Sequence, residues 1–198
     1  MLIELPYNRE RAVAYARRWA LSRNPLFFDF TGRGGNCTNF VSQCLFAGCG
    51  VMNDTPTFGW YYRSPDDRAP AWSGVEELAR FLLQSPSFLE ANGGQGPYAV
   101  DARTARQIEI GDVIQLGSEE EGFYHTLLVV GFEGEDPLVA AQTNDAYGRP
   151  LSTYEYDFAR YIKILGVRLE ARIEDDCFES VLEGVAIVPP SSSTEPII

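Results

Sequence analysis

Two kinds of hydrophobic spacing divide the chain. In the first half, apolar residues recur every three or four positions, which is the spacing of helices with one buried face. This spacing predicts three helices, at residues 9–21, 38–47 and 75–82. In the second half, short apolar runs are separated by clusters of Gly, Glu and Asp, which is typical of consecutive antiparallel strands. Four strands are predicted, at residues 112–116, 124–132, 137–143 and 160–169.

Helices followed by a strand meander predict an α+β fold. Between the second and third helices, residues 51–72 have little periodicity and many aromatics and prolines, which indicates an ordered loop region. The hydrophobic pattern weakens after Glu170, and a serine run follows near the C-terminus. We therefore expect one domain over residues 1–168 and a C-terminal extension or flexible tail over residues 169–198.

Composition excludes some classes of partner. The net charge of -12 and the pI near 4.5 argue against a nucleic-acid partner, because phosphate binding requires clustered Lys and Arg. The same charge weakens attraction to anionic membranes. The N-terminal residues lack the basic segment and the long apolar run of a secretory signal. We expect a cytoplasmic monomer with reduced cysteines, with export of a longer form or release by lysis as alternatives.

Candidate chemistry depends on one cysteine and on the single histidine of the chain. Cys37 follows a glycine pair and falls in the first turn of the second predicted helix. Free N–H groups and the helix dipole there favour a thiolate. The N–H groups around Asn36 and Cys37 are candidate donors to an oxyanion. His125 opens the most strand-like apolar run, so Cys37 and His125 are candidates for a nucleophile and its base.

The alternative for each of these residues is structural. Free cysteines are often buried packing residues, which is the interpretation given to Cys44, Cys49 and Cys177 and the alternative for Cys37. The alternative for His125 is a satisfied histidine at a strand end. No metal is expected, because the cysteine spacings lack the close ligand pairs of zinc sites.

A catalytic imidazole needs a third group that fixes its orientation. Gln142, at the end of the next predicted strand, is the first choice. Asn144 and Asp145 are the alternatives, although Asn-Asp is also well suited to turn formation. The aromatic loop region offers candidates for a substrate wall, namely Trp60, Tyr61 and Trp72.

Several ordered motifs point to a family. In chain order they are Tyr7-Asn8-Arg9, Gly35 to Gln43, Gly59 to Tyr62, Trp72 to Val75, Gly111 to Gln115, His125-Thr126 and Arg149 to Tyr154. Together they resemble the bacterial "Putative amidase domain" family, a group of papain-like cysteine hydrolases related to NlpC-type cell-wall peptidases and CHAP amidases. The resemblance covers most of the chain, from about residue 7 to residue 166.

The resemblance implies a papain-like, NlpC-type fold, in which the nucleophile helix packs on an antiparallel sheet that carries the base. By the matching motifs, Cys37 is the nucleophile and His125 the base. Two residues depart from the family pattern: Asn36 stands where the family usually has Asp, and Gln142 stands where relatives often have His. A neutral amide can still orient an imidazole by accepting its N–H.

The expected function is a cysteine amidase or peptidase that needs no cofactor and works by acyl transfer through a thioester. A peptide or a peptidoglycan-like amide is the expected substrate, and the peptidoglycan part is an analogy with relatives. A catalytically weak binding or accessory domain of papain-like shape is the alternative. Acyl transfer to an amine instead of water is a third option.

Overall fold

The computed structural model describes residues 2–170 and 178–185. Cys177 and most of the expected C-terminal segment, residues 171–177 and 186–198, lie outside the described residues. Within the described part, the helices are α1 (Arg9–Trp19), α2 (Cys37–Cys49), α3 (Pro70–Ser73), α4 (Val75–Leu83), α5 (Pro86–Asn92) and α6 (Phe178–Glu183). The strands are β1 (Ile3–Leu5), β2 (Gly96–Asp101), β3 (Val113–Ser118), β4 (Gly122–Glu133), β5 (Asp136–Ala141), β6 (Ala146–Pro150) and β7 (Phe158–Leu169).

The predicted mixture of helices and an antiparallel sheet is confirmed. The three predicted helices correspond to α1, α2 and α4, and the four predicted strands to β3, β4, β5 and β7. The elements that the spacing did not predict are the short ones, β1, β2, β6, α3, α5 and α6. Short elements carry too few residues to show a hydrophobic period, so their existence depends on tertiary pairing.

One seven-stranded sheet contains all the strands of the described residues, in antiparallel pairs. Consecutive strands β3, β4, β5 and β6 form a meander, and β7 returns to pair with β3. β4 therefore lies between β3 and β5 in the interior of the sheet. His125 is on β4, in register with Leu116 of β3.

α2 is buried along nearly its whole length, and every residue except Cys49 is buried, although Cys37 keeps a small exposed fraction. A helix buried on all sides needs partners for its polar side chains, since an unpaired polar group in the core is costly. Four polar side chains of α2 form hydrogen bonds with side chains from other parts of the fold. The pairs are Thr38 with Thr126, Asn39 with Trp72, Ser42 with Trp60 and Gln43 with Tyr15. These bonds fix the rotation and position of α2, and therefore the place of its first residue, Cys37.

α6 packs on the end of α1. Val181 of this helix is fully buried. The Trp19 Nε1–H donates to the carbonyl of Leu182 at 2.6 Å, and Asn24 Nδ2 donates to the carbonyl of Val181 at 2.9 Å. Residues 178–185 therefore pack on the domain through α6.

Candidate active site

A cleft of about 480 Å³ opens where the start of α2 meets β4. Cys37 and His125 both line it, so the fold brings the two predicted reactive residues into one cavity. Two contacts join the helix to the strand on either side of the histidine. Cys37 Sγ lies 4.0 Å from the carbonyl oxygen of Tyr124, and Thr38 Oγ1 lies 2.8 Å from Thr126 Oγ1.

Cys37 is the first residue of α2, where the helix N–H groups have no partner within the helix. No acidic residue lies in the first turn of α2, so nothing there offsets the positive end of the helix dipole. Within the described residues, no acceptor engages the Cys37 N–H. This N–H is therefore available to an oxyanion that forms beside the sulfur.

The glycine pair before the cysteine has a conformational role. Gly34 and Gly35 have φ of +97° and +100°, a region that other residues rarely adopt. A Cβ on Gly35 would lie 3.3 Å from Thr143 Oγ1, which itself accepts a 2.6 Å hydrogen bond from the Asn36 N–H. Thr143 has a φ of 91°, an unfavourable value for a β-branched residue. The loop before Cys37 is thus held tightly against the turn that follows β5.

His125 is mostly buried beside two tyrosine rings, with its ring centroid 6.4 Å from that of Tyr124 and 6.1 Å from that of Tyr154. Burial lowers the pKa of His125 from 6.5 to about 4, and the positive charge of Arg149 adds to this effect. The imidazole is therefore neutral at pH 7, with a lone pair free to accept a proton, and it is a weaker base than an exposed histidine. Within the described residues, no side chain forms a hydrogen bond with it.

Gln142 has a different role from the predicted one. Its Nε2 donates to the carbonyls of Trp19 and Ser22, at 2.8 and 2.7 Å, and its Oε1 accepts from Asn36 Nδ2. The predicted hydrogen bond to His125 is absent because both ends of the amide are used elsewhere. Gln142 instead supports Asn36, the residue before the nucleophile.

The two alternatives for the third group differ from each other. Asp145 forms a two-point ion pair with Arg23, with N–O distances of 2.8 and 3.0 Å, and does not line the cleft. Asn144 lines the cleft but is exposed and makes no hydrogen bond with His125 among the described residues. Asp145 is therefore the wrong choice, and Asn144 is the one candidate of the three that borders the cleft.

Asn36 is buried in the loop and not at the cleft surface. Its Oδ1 accepts from the Phe30 N–H and from Asn39 Nδ2, both at 2.9 Å, while its own backbone N–H is bound to Thr143. Its predicted contribution to an oxyanion site is therefore wrong. Of the two predicted donors, the N–H of Cys37 is the one that remains open.

The predicted aromatic substrate wall is wrong as well. Trp60 and Trp72 are fully buried, with ring centroids 5.0 Å apart, and Tyr61 does not line the cleft. The two indoles stabilise the core and bind polar residues of α2. The aromatic wall of the cleft is formed by Tyr124 and Tyr154. Their positions, next to His125 and within the motif Arg149 to Tyr154, were the available sequence signals.

The other described cysteines are structural. Cys44 is fully buried, and burial raises the pKa of its thiol. Cys49 Sγ donates to the carbonyl of Val51 at 3.2 Å. Within residues 2–170 and 178–185, no cluster of His, Cys, Asp and Glu has the makings of a metal site. In the same ranges, no helix has the length and apolar character needed to cross a membrane.

Comparison with known proteins identifies the family. Residues 6–165 match the family described as Putative amidase domain. The chain belongs to this family. It is also similar to Uncharacterized protein YhbB of Bacillus subtilis (strain 168), with 35% identity over 144 residues, or 71% of this chain. The chain spans 42% of the length of that relative. No solved structure matches the chain.

Membership confirms the family resemblance that the motifs predicted, and the family description indicates amide hydrolysis. The matched range contains the whole cleft, from the glycine pair to Glu155. The amidase domain therefore includes both candidate reactive residues.

Proposed function

We propose that this amidase domain hydrolyses an amide bond, with Cys37 as the nucleophile and His125 as the base. The observation that carries this function is the meeting of the two residues in one cleft, with the thiol at the start of α2 and a neutral imidazole on β4. A thiol beside a helix N-terminus and an imidazole that accepts its proton form an activated nucleophile.

The proposed reaction assigns one role to each of these groups. Cys37 Sγ attacks the carbonyl carbon of the amide while His125 takes the thiol proton, and the Cys37 N–H stabilises the resulting oxyanion. The C–N bond then breaks, His125 returns the proton to the leaving amine, and a thioester remains on Cys37. Water, deprotonated by His125, attacks the thioester and releases a carboxylic acid and the free thiol.

A helix that starts with the nucleophile and packs on an antiparallel sheet carrying the histidine is the papain-like arrangement. This arrangement supports a relationship to NlpC-type peptidases and CHAP amidases. A peptide amide is then the substrate class, and peptidoglycan stem peptides are the first substrates to test.

A second candidate function is a papain-like binding or accessory domain with weak catalysis. The specific observation in its favour is the lack of an orienting hydrogen bond on His125 among the described residues. Without such a partner, no hydrogen bond fixes the tautomer of the imidazole or which ring nitrogen faces the thiol, which lowers its efficiency as a base.

Thiol alkylation followed by a product assay tests the two candidates. At mildly acidic pH, iodoacetamide is expected to label Cys37 well before Cys44, Cys49 or Cys177, and His125→Ala is expected to slow that labelling. Cys37→Ala is expected to abolish release of amines from peptidoglycan-derived peptides, whereas Cys49→Ala, the matched control, retains it. Slow, equal labelling of all four thiols with no amine release would support the binding domain instead. A product that incorporates an added amine would reveal acyl transfer.

A further inference from the structure

One arginine of the cleft, Arg149, is held by hydrogen bonds that use two of the five N–H groups of its guanidinium. The Arg149 guanidinium lies 4.0 Å over the ring of Tyr154. Its Nε donates to Thr153 Oγ1 and its Nη2 to the Thr153 carbonyl, both at 2.8 Å. Thr153 Oγ1 in turn donates to the Pro150 carbonyl at 2.7 Å, which fixes the acceptor. Residues 149–154 thus hold the Arg149 guanidinium in place through contacts within this one motif.

The geometry of the guanidinium shows which donors remain. A guanidinium presents its five N–H groups in a planar fork, and the bonds to Thr153 use the edge formed by Nε and Nη2. The other edge, formed by Nη1 and the second N–H of Nη2, makes no hydrogen bond of good geometry with the described residues. Burial raises the pKa of Tyr154 and the neighbouring Arg149 opposes this rise, but the Tyr154 hydroxyl is not placed to accept a hydrogen bond from that edge. Two parallel N–H groups on such an edge match the two oxygens of a carboxylate.

Arg149 also lacks a counter-ion among the described residues, although the chain carries a net charge of -12. Within the described residues it forms no ion pair, whereas Arg23, near the same turn, is paired with Asp145. Glu155, the acidic residue that lines the cleft, is exposed and forms no ion pair with Arg149. The positive charge is nevertheless felt inside the cleft, because Arg149 contributes to the lowered pKa of His125.

We propose that Arg149 receives a carboxylate carried by the substrate, so that the domain acts on amides with an acidic group near the scissile bond. This inference rests on the proposed function, since the substrate must place its amide at Cys37 in the same cleft. An arginine already held by stacking and by two hydrogen bonds loses little freedom on binding, which favours its use as a recognition group.

Alkylation by a matched pair of reagents tests the carboxylate preference at Cys37. Iodoacetate carries a carboxylate where iodoacetamide carries an amide. The ratio of their alkylation rates at Cys37 therefore measures recognition of the carboxylate separately from the general reactivity of the thiol. Arg149→Gln is expected to lower the iodoacetate to iodoacetamide ratio about tenfold, the size of one charge-assisted hydrogen bond. Arg149→Lys keeps the positive charge but loses the planar pair of donors. Its rate ratio is expected to lie between those of the wild type and Arg149→Gln. Arg106→Gln, an exposed arginine outside the cleft, is the matched control and leaves the ratio unchanged.

A binding measurement that needs no reactive thiol complements the alkylation. His125 is the single histidine of the chain, so its imidazole NMR signals report on the cleft without ambiguity. In a Cys37→Ala background, titration of these signals is expected to show that N-acetylglycine binds with higher affinity than N-acetylglycinamide. Adding Arg149→Gln is expected to weaken N-acetylglycine binding about tenfold and leave the neutral probe unaffected.

The outcomes separate the two ideas. An inert Cys37 together with carboxylate-selective NMR binding would overturn the proposed hydrolase and support the Arg149 site. A reactive Cys37 with equal affinities for both probes, or with selectivity unchanged by Arg149→Gln, would overturn the Arg149 site alone. An equal loss of selectivity in Arg106→Gln would show a general effect of charge and would also overturn it.

Discussion

Thr38 Oγ1 and Thr126 Oγ1 lie 2.8 Å apart, each one residue beyond a candidate reactive residue, Cys37 or His125. Both threonines are buried. Their hydrogen bond joins the first turn of α2 to β4 inside the core, so it sets how closely the thiol and the imidazole approach. Positioning within the site therefore depends on a bond that neither reactive residue makes.

Breaking this bond from one side is expected to be costly. Thr126→Val leaves the buried Thr38 hydroxyl with only its 3.8 Å contact to Cys37 Sγ. Thr38→Val leaves Thr126 Oγ1 with only the long 3.4 Å hydrogen bond from Gln115 Nε2. Each variant should therefore lose about 1–3 kcal/mol of unfolding free energy. The double variant should lose less than the sum, because replacing both partners with apolar groups of similar shape leaves no unpaired hydroxyl. Urea denaturation of the four proteins measures the coupling. Additive losses would contradict the importance of the bond.

The pH dependence of stability is expected to carry the signature of His125. Its folded pKa of about 4 lies below the unfolded value of 6.5, so the unfolded chain binds the proton first as the pH falls. Stability from this residue is complete above pH 6.5 and is lost between about pH 6.5 and 4, by about 3 kcal/mol in total. The difference in unfolding free energy between wild type and His125→Asn, measured across this range, isolates it. A difference that stays constant from pH 7 to pH 4 would refute the buried, neutral imidazole.

Substitution of Gln142 is expected to disturb the loop before Cys37 and not the titration of His125. Gln142→Ala removes the acceptor of Asn36 and the donor to two carbonyls, and it should cost about 2–3 kcal/mol and slow alkylation of Cys37. The NMR titration of His125 should be unchanged, because no hydrogen bond joins the two side chains. Gln142→Glu keeps the acceptor and loses the donors, which separates the two contributions. A shifted His125 titration in either variant would restore the orienting role.

The ion pair between Arg9 and Asp112 is expected to matter far more than a surface pair. Asp112 is fully buried, lies 2.6 Å from Arg9 Nη1 and accepts from the backbone N–H groups of Glu109 and Ile164. Asp112→Ala leaves Arg9 with only the more exposed Glu109, at 3.4 Å, and removes the acceptor of two backbone N–H groups, so it should cost about 3–5 kcal/mol. Glu135→Ala, which breaks the exposed pair with Arg106, is the control and should have almost no effect. Thermal and urea unfolding of both variants checks the contrast.

Local spacing was sufficient for the elements that carry the reactive residues. A glycine pair before an apolar helix period placed Cys37 at a helix start, and an apolar run placed His125 on a strand. Both features depend on neighbours within a few residues, where backbone conformation and hydrophobic period are encoded directly. The ordered series of motifs along the chain was in turn sufficient to predict the family.

The hydrogen-bond partners of individual side chains could not be predicted from local spacing. Gln142 was expected within a strand, but β5 ends at Ala141 and Gln142 lies in the turn that follows. Its amide bonds to Trp19, Ser22 and Asn36, and the backbone turn that brings these residues together shows no local pattern. The aromatic loop was ordered, as expected, but its indoles became core residues because α2 offers them buried hydrogen-bond partners. These outcomes depend on packing between distant segments.

The amino-acid sequence by itself determined the family, the α+β class and the elements on which Cys37 and His125 lie, since these follow from short-range spacing and from ordered motifs. Tertiary structure alone decided that the two residues share a cleft, that Arg149 and Tyr154 form its wall, and that Gln142 supports the loop instead of the imidazole. The physical reason is that such contacts join residues far apart in the chain, and their geometry is set by strand register and core packing.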